Sequence, residues 1–221
     1  MNLRTRILII VVAALIGMVV MAAGGLLQLR QSMYEERESQ IAQHLIFAKA
    51  KMKYFQAQEA AGKMTREEAQ KRAVEVIAAQ NTKEDYFIIR ALADNMLLSH
   101  GDVKRIGKPD AGGKTPDGRP VLEVYKENIA KSQKGVGFIT LMAVRPGSGD
   151  KTQYKKINGA TVFEPWNWMI AYGAFVDDVD SAFWQDAARM LVIGVALIGI
   201  VAFLAIRTMR SILGQLGGEP Q

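Results

Sequence analysis

The sequence predicts an α+β domain held between two membrane-spanning helices. Two apolar stretches, at residues 7–27 and 188–206, lie near the ends of the 221-residue chain. A helix of about 20 residues is long enough to cross the roughly 30 Å hydrocarbon core of a bilayer. Between the two stretches the hydrophobic period first follows a helix and then changes to short strand-like runs. That order predicts an antiparallel sheet with helices packed on one face, within residues 28–187.

The positions of the arginines beside the apolar stretches predict the orientation of the chain. Two arginines lie within residues 1–6 and two more within residues 207–221. Cations are enriched in cytoplasmic flanks, so both termini are expected in the cytoplasm and the domain outside. The first stretch exceeds the roughly 7 to 15 apolar residues of a cleaved signal peptide, and it is therefore expected to remain as a span.

The charge distribution argues against nucleic-acid binding. The formal net charge is +6, but residues 28–188 hold 23 lysines and arginines against 21 acidic residues. Most of the excess positive charge therefore lies beside the spans. A nucleic-acid module instead concentrates its cations on one face. The chain has no cysteine, which excludes disulfides and thiolate metal sites.

Signatures of catalysis are scarce. His44 and His100 are the only histidines, and their spacing pairs neither with a nucleophile nor with a second metal ligand. The acidic run at residues 177–180 lacks the glycine and the distal glutamate of a calcium loop, so it is interpreted as a helix start. We expect no enzyme activity, no catalytic residue, no bound metal and no cofactor.

A long helix is predicted to continue from the first span. Its apolar residues recur at alternating steps of four and three, which places them on one helix face. Such spacing is also typical of a coiled coil, so the stripe predicts a homodimer contact, with packing on the chain's own sheet as the alternative. The stripe consists of Ile41, Leu45, Ala48, Met52 and Phe55.

Two further helices are predicted in the domain. Thr65 and Glu68 form a capping box, in which a threonine and a glutamate three residues apart satisfy the first amides of a helix, here 66–80. Apolar residues at helical spacing predict another helix at 120–131. The acidic run at 177–180 is expected to begin a helix that leads into the second span.

Five strands are predicted from runs of β-branched and aromatic residues bounded by turn signals. The runs are residues 86–89, 96–98, 137–144, 154–163 and 168–176.

Many short segments of the domain, in order, resemble the single Cache domain of the second type. The closing segment is Phe163-Glu164-Pro165-Trp166-Asn167-Trp168, followed by Gly173-Ala174-Phe175-Val176-Asp177-Asp178-Val179-Asp180. Upstream are Tyr86-Phe87, Leu98-Ser99-His100-Gly101, Gly107-Lys108, Pro116-Asp117-Gly118-Arg119, Gly135-Val136-Gly137-Phe138 and Arg145-Pro146-Gly147. The resemblance covers nearly the whole domain.

The resemblance implies a PAS-like sheet with a long N-terminal helix and a small-molecule ligand, usually an organic acid. We expect the site between the concave face of the sheet and the helical hairpin, which is formed by the long helix and the helix at 66–80. His100 and Lys156 occupy the matching family positions, and the alternative is a loop histidine and a surface lysine without a ligand. The expected lining is Tyr86, Ile88, His100, Phe138, Thr140 and Lys156, with Tyr54 and Trp168 as further candidates.

Several polar residues of the family pattern are replaced. Leu141 and Ala143 stand where relatives tend to have a tyrosine and a tryptophan, and Gly159 stands where they have a tyrosine. The arginine expected before the first strand is missing from residues 80–82. The site is therefore wider, more apolar, or unused.

Beyond the second span, residues 207–221 resemble the start of a HAMP linker in methyl-accepting chemotaxis proteins. The resemblance implies the ligand-sensing portion of a homodimeric chemoreceptor in a bacterial inner membrane, with its cytoplasmic signalling module missing from this chain. The alternatives are the input domain of a sensor histidine kinase or cyclase, and a domain with only a structural or partner-binding role.

Overall fold

Four helices and one five-stranded sheet make up the fold. The computed structural model describes residues 3–82, 84–110, 112–145, 149 and 152–215. The helices are α1 (Leu3–Ala60), α2 (Arg66–Ala78), α3 (Val121–Lys131) and α4 (Asp177–Gln215). The strands are β1 (Tyr86–Ala91), β2 (Leu97–Ser99), β3 (Gly137–Val144), β4 (Gln153–Phe163) and β5 (Trp168–Phe175). The predicted α+β class, with its long N-terminal helix and antiparallel sheet, is confirmed.

The described residues form two compact units. One holds the residues up to Met33 and those from Val179 onward, and the other holds Tyr34–Asp178. In the first unit, α1 and α4 each contain an apolar window long enough to cross a membrane, and none of either window is buried within the protein. Residues 1–2 and 216–221, and Pro146-Gly147 of the family signature, lie outside the described residues.

The sheet of the second unit is antiparallel throughout, in the order β2-β1-β5-β4-β3. β5 lies at its centre, with β1 on one side and β4 on the other. The β3–β4 hairpin pairs Gly137 with Ala160 and Val144 with Gln153. Because successive side chains of a strand point to opposite faces, this register assigns each residue to one of two layers.

One face of the sheet is closed by α1 and α2. Ile41, Leu45, Ala48 and Met52 are all at most 2% exposed, and a methyl group added at Gly159 of β4 would meet Ile41 and Leu45. The apolar stripe predicted from the sequence is therefore used inside the chain. The Thr65 hydroxyl accepts the amide of Glu68 at 3.1 Å, as the capping box predicts.

The opposite face of the sheet carries α3. Val121 and Tyr125 of α3 are buried in a cluster with Ile139, Ala160 and Met169. The expectation that all helices pack on one face is wrong, because α3 presents its own apolar side to the second face. The domain has three layers, and its two sheet faces have different neighbours.

Candidate ligand-binding site

A cavity of about 380 Å³ lies on the α3 face of the sheet. Its floor comes from β1, β3, β4 and β5, and its walls come from α3 and from the loop between β2 and α3. The cavity is thus on the opposite side of the sheet from the predicted helical hairpin. Its lining residues are Tyr86, Ile88, Arg90, His100, Arg105, Gly112, Gly113, Lys114, Val121, Leu122, Tyr125, Leu141, Met142, Ala143, Lys156, Asn158, Met169 and Ala171.

Four of the residues predicted for the site line this cavity. Tyr86 and Ile88 reach it from β1, Lys156 from β4, and His100 from the end of β2. Tyr86 and His100 are in contact, with ring centroids 5.4 Å apart. These four side chains converge although they come from three separate parts of the sequence.

Phe138 and Thr140 lie on the other face of the sheet. The β3 residues that line the cavity are Leu141, Met142 and Ala143. The Phe138 ring lies beside Gly159, whose open side faces α1. Because the side-chain period of a strand is two residues, choosing the wrong face exchanges every residue of β3 for its neighbour.

Tyr54 and Trp168 are also away from the cavity. Tyr54 is 61% exposed on α1. Trp168 is buried against Trp166, with ring centroids 5.0 Å apart, and the Trp166 indole donates to Glu59 of α1 at 2.7 Å. The two tryptophans therefore belong to the layer between α1 and the sheet.

Lys156 places a cation in the cavity. The residue is 2% exposed, and its Nζ lies 4.0 Å from the Tyr86 ring centroid and 4.7 Å from that of Phe175. Among the described residues, no hydrogen bond or ion pair to this ammonium group is present. Burial lowers the pKa of Lys156 to about 8, although the nearby Asp85 carboxylate opposes this shift.

A second group of cations surrounds Asp110. Arg105 binds the Asp110 carboxylate, with 2.9 Å from Nε to Oδ2, and Arg90 reaches Oδ1 at 3.6 Å. The Arg90 side chain is only 7% exposed, and its Nε has no hydrogen-bond partner among the described residues. Burial lowers the pKa of Arg90, and Asp110 opposes that shift.

His100 lies beside these arginines rather than acting as a separate cation. Its Nδ1 accepts the Asp102 amide at 2.8 Å, and Arg105 Nη1 lies 3.0 Å from its Nε2. Burial and the Arg105 charge lower the pKa of His100 below its usual 6.5. The imidazole is therefore neutral at pH 7, and the cations lining the cavity are arginine and lysine.

Asn158 adds a polar group to the floor. Its Oδ1 is buried without a hydrogen-bond partner among the described residues, and a Cβ at the neighbouring Gly173 would overlap this amide. Glycine at position 173 thus gives the amide its space. A hydrogen bond from Asn158 lowers the pKa of Tyr125, but burial is the larger effect and raises it.

Sequence reasoning missed Arg90, Arg105 and Asn158. Arg90 lies one residue beyond the predicted end of the first strand, and Arg105 lies between the strand predicted at 96–98 and the helix predicted at 120–131. A signal was present for Arg90, since a charged residue in an apolar strand is seldom buried without a partner or a function.

The chain is similar to known proteins in both sequence and fold. A model of the family described as single Cache domain 2 matches residues 33–188. The chain is 30% identical over 220 residues to the methyl-accepting chemotaxis protein McpP of Pseudomonas putida. The alignment covers 96% of this chain and 38% of that protein, so the chain spans less than half of its relative.

Three solved structures have a similar fold. One is a Cache chemosensory domain whose structure shows the basis for carboxylic acid recognition. It is 28% identical, with a TM-score of 0.56, and the match covers 66% of this chain and 98% of that one. A periplasmic sensor domain of a chemotaxis protein is 23% identical, also with a TM-score of 0.56, covering 66% and 99%. A methyl-accepting chemotaxis protein from Vibrio parahaemolyticus is 18% identical with a TM-score of 0.53, covering 70% and 99%.

The buried ammonium group predicts a pH-dependent stability. The pKa of Lys156 is about 8 in the folded protein and about 10.4 in an unfolded chain. The unfolded state therefore binds more protons between these values, so the stability contributed by this group rises with pH over that window. Without ligand, Lys156→Met should unfold at a higher temperature than the natural protein at pH 7, and the difference should shrink towards pH 10.

Thermal unfolding of the full chain in detergent, followed by tryptophan fluorescence, measures this difference. Its upper limit is about 3 kcal/mol, from about 1.4 kcal/mol for each pH unit between the two pKa values. Lys131→Met, at an exposed position, is the matched control. Parallel pH profiles for the natural protein and Lys156→Met would contradict the titration of this group.

Proposed function

Because the chain belongs to the single Cache domain 2 family, we propose that it is the sensory and membrane portion of a bacterial chemoreceptor. We further propose that its outer domain binds a small carboxylate. The observation that carries the proposal is the buried ammonium group of Lys156, which has no ion-pair partner among the described residues and lies in a cavity of ligand size. Buried charges in proteins are normally paired, because removing a charge from water costs several kcal/mol. A ligand carboxylate supplies the missing partner.

The charges around the cavity favour an anion. Its lining includes Arg90, Arg105, Lys114 and Lys156, and no aspartate or glutamate is among the described lining residues. Asp110 offsets part of this charge from behind the two arginines. Carboxylic acid recognition by a related Cache domain supports the same ligand class. Nothing in this arrangement calls for catalysis, and we propose a binding role only.

Ligand binding is proposed to act on the start of α4 through β5. Lys156 pairs with Phe175 across the β4–β5 ladder, and α4 begins two residues later at Asp177. Arg145 binds Asp177 at 2.7 Å, and its guanidinium lies 4.4 Å from the Phe175 ring centroid. Lys156 and Arg145 thus share one aromatic ring, and an anion at Lys156 changes the electrostatic environment of the first turn of α4. A ligand that binds one arrangement of the β5–α4 junction more tightly shifts the equilibrium towards that arrangement, by the difference between its affinities for the two arrangements.

The carboxylate proposal predicts a dependence on Lys156. Calorimetric titration of the full chain in detergent with straight-chain acids from acetate to hexanoate should detect binding at pH 7. The affinity should fall roughly tenfold or more in Lys156→Met, because a charge-assisted hydrogen bond contributes about 1.5 to 3 kcal/mol. In the natural protein it should also weaken as the pH rises through about 8, where Lys156 loses its proton.

The control for this experiment is again Lys131→Met, which should bind as the natural protein does. Equal affinity in Lys156→Met and the natural protein would rule out Lys156 as the anion-binding group. If no acid of this series or its dicarboxylate counterparts binds, the carboxylate proposal itself is wrong.

We propose that both termini are cytoplasmic and that the domain at residues 28–187 lies outside the inner membrane. The apolar windows of α1 and α4 and the flanking arginines support this two-pass arrangement. A reporter fused after Gln221 should be active in the cytoplasm, and one inserted between Gly112 and Gly118 should be exported. Both reporters on the same side would contradict the arrangement.

We propose that the chain is a homodimer, with contacts along the face of α1 opposite the buried stripe. This outer face repeats at steps of four and three residues, and its large apolar members are strongly exposed: Phe47 is 64% and Tyr54 61% exposed. Symmetric pairing of two copies would bury this face, as in a coiled coil. The outer stripe is Gln43, Phe47, Ala50, Tyr54 and Ala57.

Single cysteines test this interface cleanly because the chain has no cysteine of its own. Cysteine at Gln43, Ala50 or Ala57 should form a disulfide between copies under mild oxidation in membranes. Lys49, which is equally exposed but lies off this face, is the control position. Equal crosslinking at Lys49 and Ala50, or none at any position, would contradict the proposed face.

A further inference from the structure

The cavity contains two buried cations from different places on the sheet. Arg90 and Tyr86 both lie on β1, four residues apart, which is about 13 Å of strand. The Lys156 ammonium lies over the Tyr86 ring. The Arg90 guanidinium instead reaches Asp110 in the loop after β2. The two cations therefore mark two separate positions along the cavity.

Neither cation is fully compensated by the protein. Arg90 and Arg105 share the single carboxylate of Asp110, which leaves one positive charge in excess. The Asp110 carboxylate is held in place by the Gly112 amide, which donates to Oδ1 at 2.6 Å. The Arg90 Nε has no acceptor among the described residues, and within those residues Lys156 has no ion-pair partner. Counting half-exposed Arg105 with the two buried cations and Asp110, these groups carry a charge close to +2, which Asp85 near Lys156 partly offsets.

An apolar residue of β1 lies between the positions of the two cations. Ile88 lies between Tyr86 and Arg90 on the same face of β1, and it pairs with Ala171 of β5. Leu122 and Met169 also line the cavity. The volume of about 380 Å³ equals that of roughly a dozen liquid waters, at about 30 Å³ each. An acid of two or three carbons would fill only a small part of it.

From this arrangement we propose that the ligand is a dicarboxylate with an apolar chain, one carboxylate bound by Lys156 and the other by Arg90 with Arg105 at its side. The proposal rests on the carboxylate-binding function proposed above and adds the second acidic group. A phosphate monoester carries two charges on one group, so it matches the two separated cations less well. Arg90 then sets the specificity for the length and charge of the ligand.

Pairs of acids with equal carbon number test this inference. The full chain in detergent is titrated by calorimetry at pH 7 with succinate, glutarate and adipate, and with butyrate, valerate and hexanoate. At least one dicarboxylate should bind ten times or more tightly than the monocarboxylate of its length. Glycerol 3-phosphate is the probe for a doubly charged single group.

A variant at the second cation separates its role from that of Lys156. Arg90→Met should reduce the preference for the dicarboxylate to about threefold or less, while the affinity for the monocarboxylate stays within about threefold. Asp110 keeps Arg105 as its partner in this variant. Arg119→Met is the matched control, since Arg119 pairs with Glu127 and does not line the cavity. If Arg90→Met does not fold, Arg105→Met, at a half-exposed arginine, should lower the same preference.

The outcomes distinguish this inference from the carboxylate function. Monocarboxylates that bind as tightly as dicarboxylates would overturn the second acidic group and leave the carboxylate function standing. Tighter binding of glycerol 3-phosphate than of every dicarboxylate would overturn the two-ended arrangement. An equal loss of preference in Arg119→Met and Arg90→Met would remove Arg90 from the site, and failure of all the acids to bind would overturn both proposals.

Discussion

The pleat of β4 determines which side chains reach α1 and which reach the cavity. Gly159 turns towards Ile41 and Leu45 of α1, whereas Lys156 and Asn158 turn to the other face and line the cavity. An apolar face closed by a helix and a polar face left partly open are both needed, because the first stabilises the sheet and the second keeps room for a ligand. The strand alternation supplies both within one strand.

Burying Lys156 and Arg90 costs stability that the apolar layer under α1 has to offset. The lowered pKa of each group records the penalty of removing its charge from water. Among the described residues, Lys156 gains the attraction of the nearby Asp85 carboxylate and the weak attraction of two aromatic rings, at 4.0 and 4.7 Å. Such a site is poorly satisfied without a ligand and strongly favours an anion. Binding sites commonly exchange stability for affinity in this way.

The local structure was predictable from the sequence, but the faces of the sheet were not. β3 begins and ends at the predicted residues, and the Thr65 cap forms as its spacing requires. Phe138 and Thr140 were assigned to the site, although Leu141, Met142 and Ala143 are the β3 residues that line the cavity, because the pattern of β3 is apolar on both sides. Two stripes of α1, the buried one that contains Leu45 and the exposed one that contains Phe47, repeat at the same steps of four and three residues. Only the packing shows that the Leu45 stripe faces the sheet. Arg90 was missed because its meaning depends on Asp110, which lies 20 residues further along the chain.

In the proposed carboxylate sensor, the position of Lys156 beside the end of β5 makes charge a suitable signal. Burial is the main cause of the lowered pKa of Lys156, and like-charge repulsion from Arg145 adds a smaller lowering. Arg145 also holds Asp177, the first residue of α4, and Glu84. An anion at Lys156 relieves part of that repulsion, whereas a neutral ligand of the same shape leaves it in place. The two ligands would therefore differ at the start of α4 even if they filled the cavity equally. Because the effect of a ligand on an equilibrium equals its differential affinity for the two states, the proposed sensor would respond to the charge of its ligand as well as to its size.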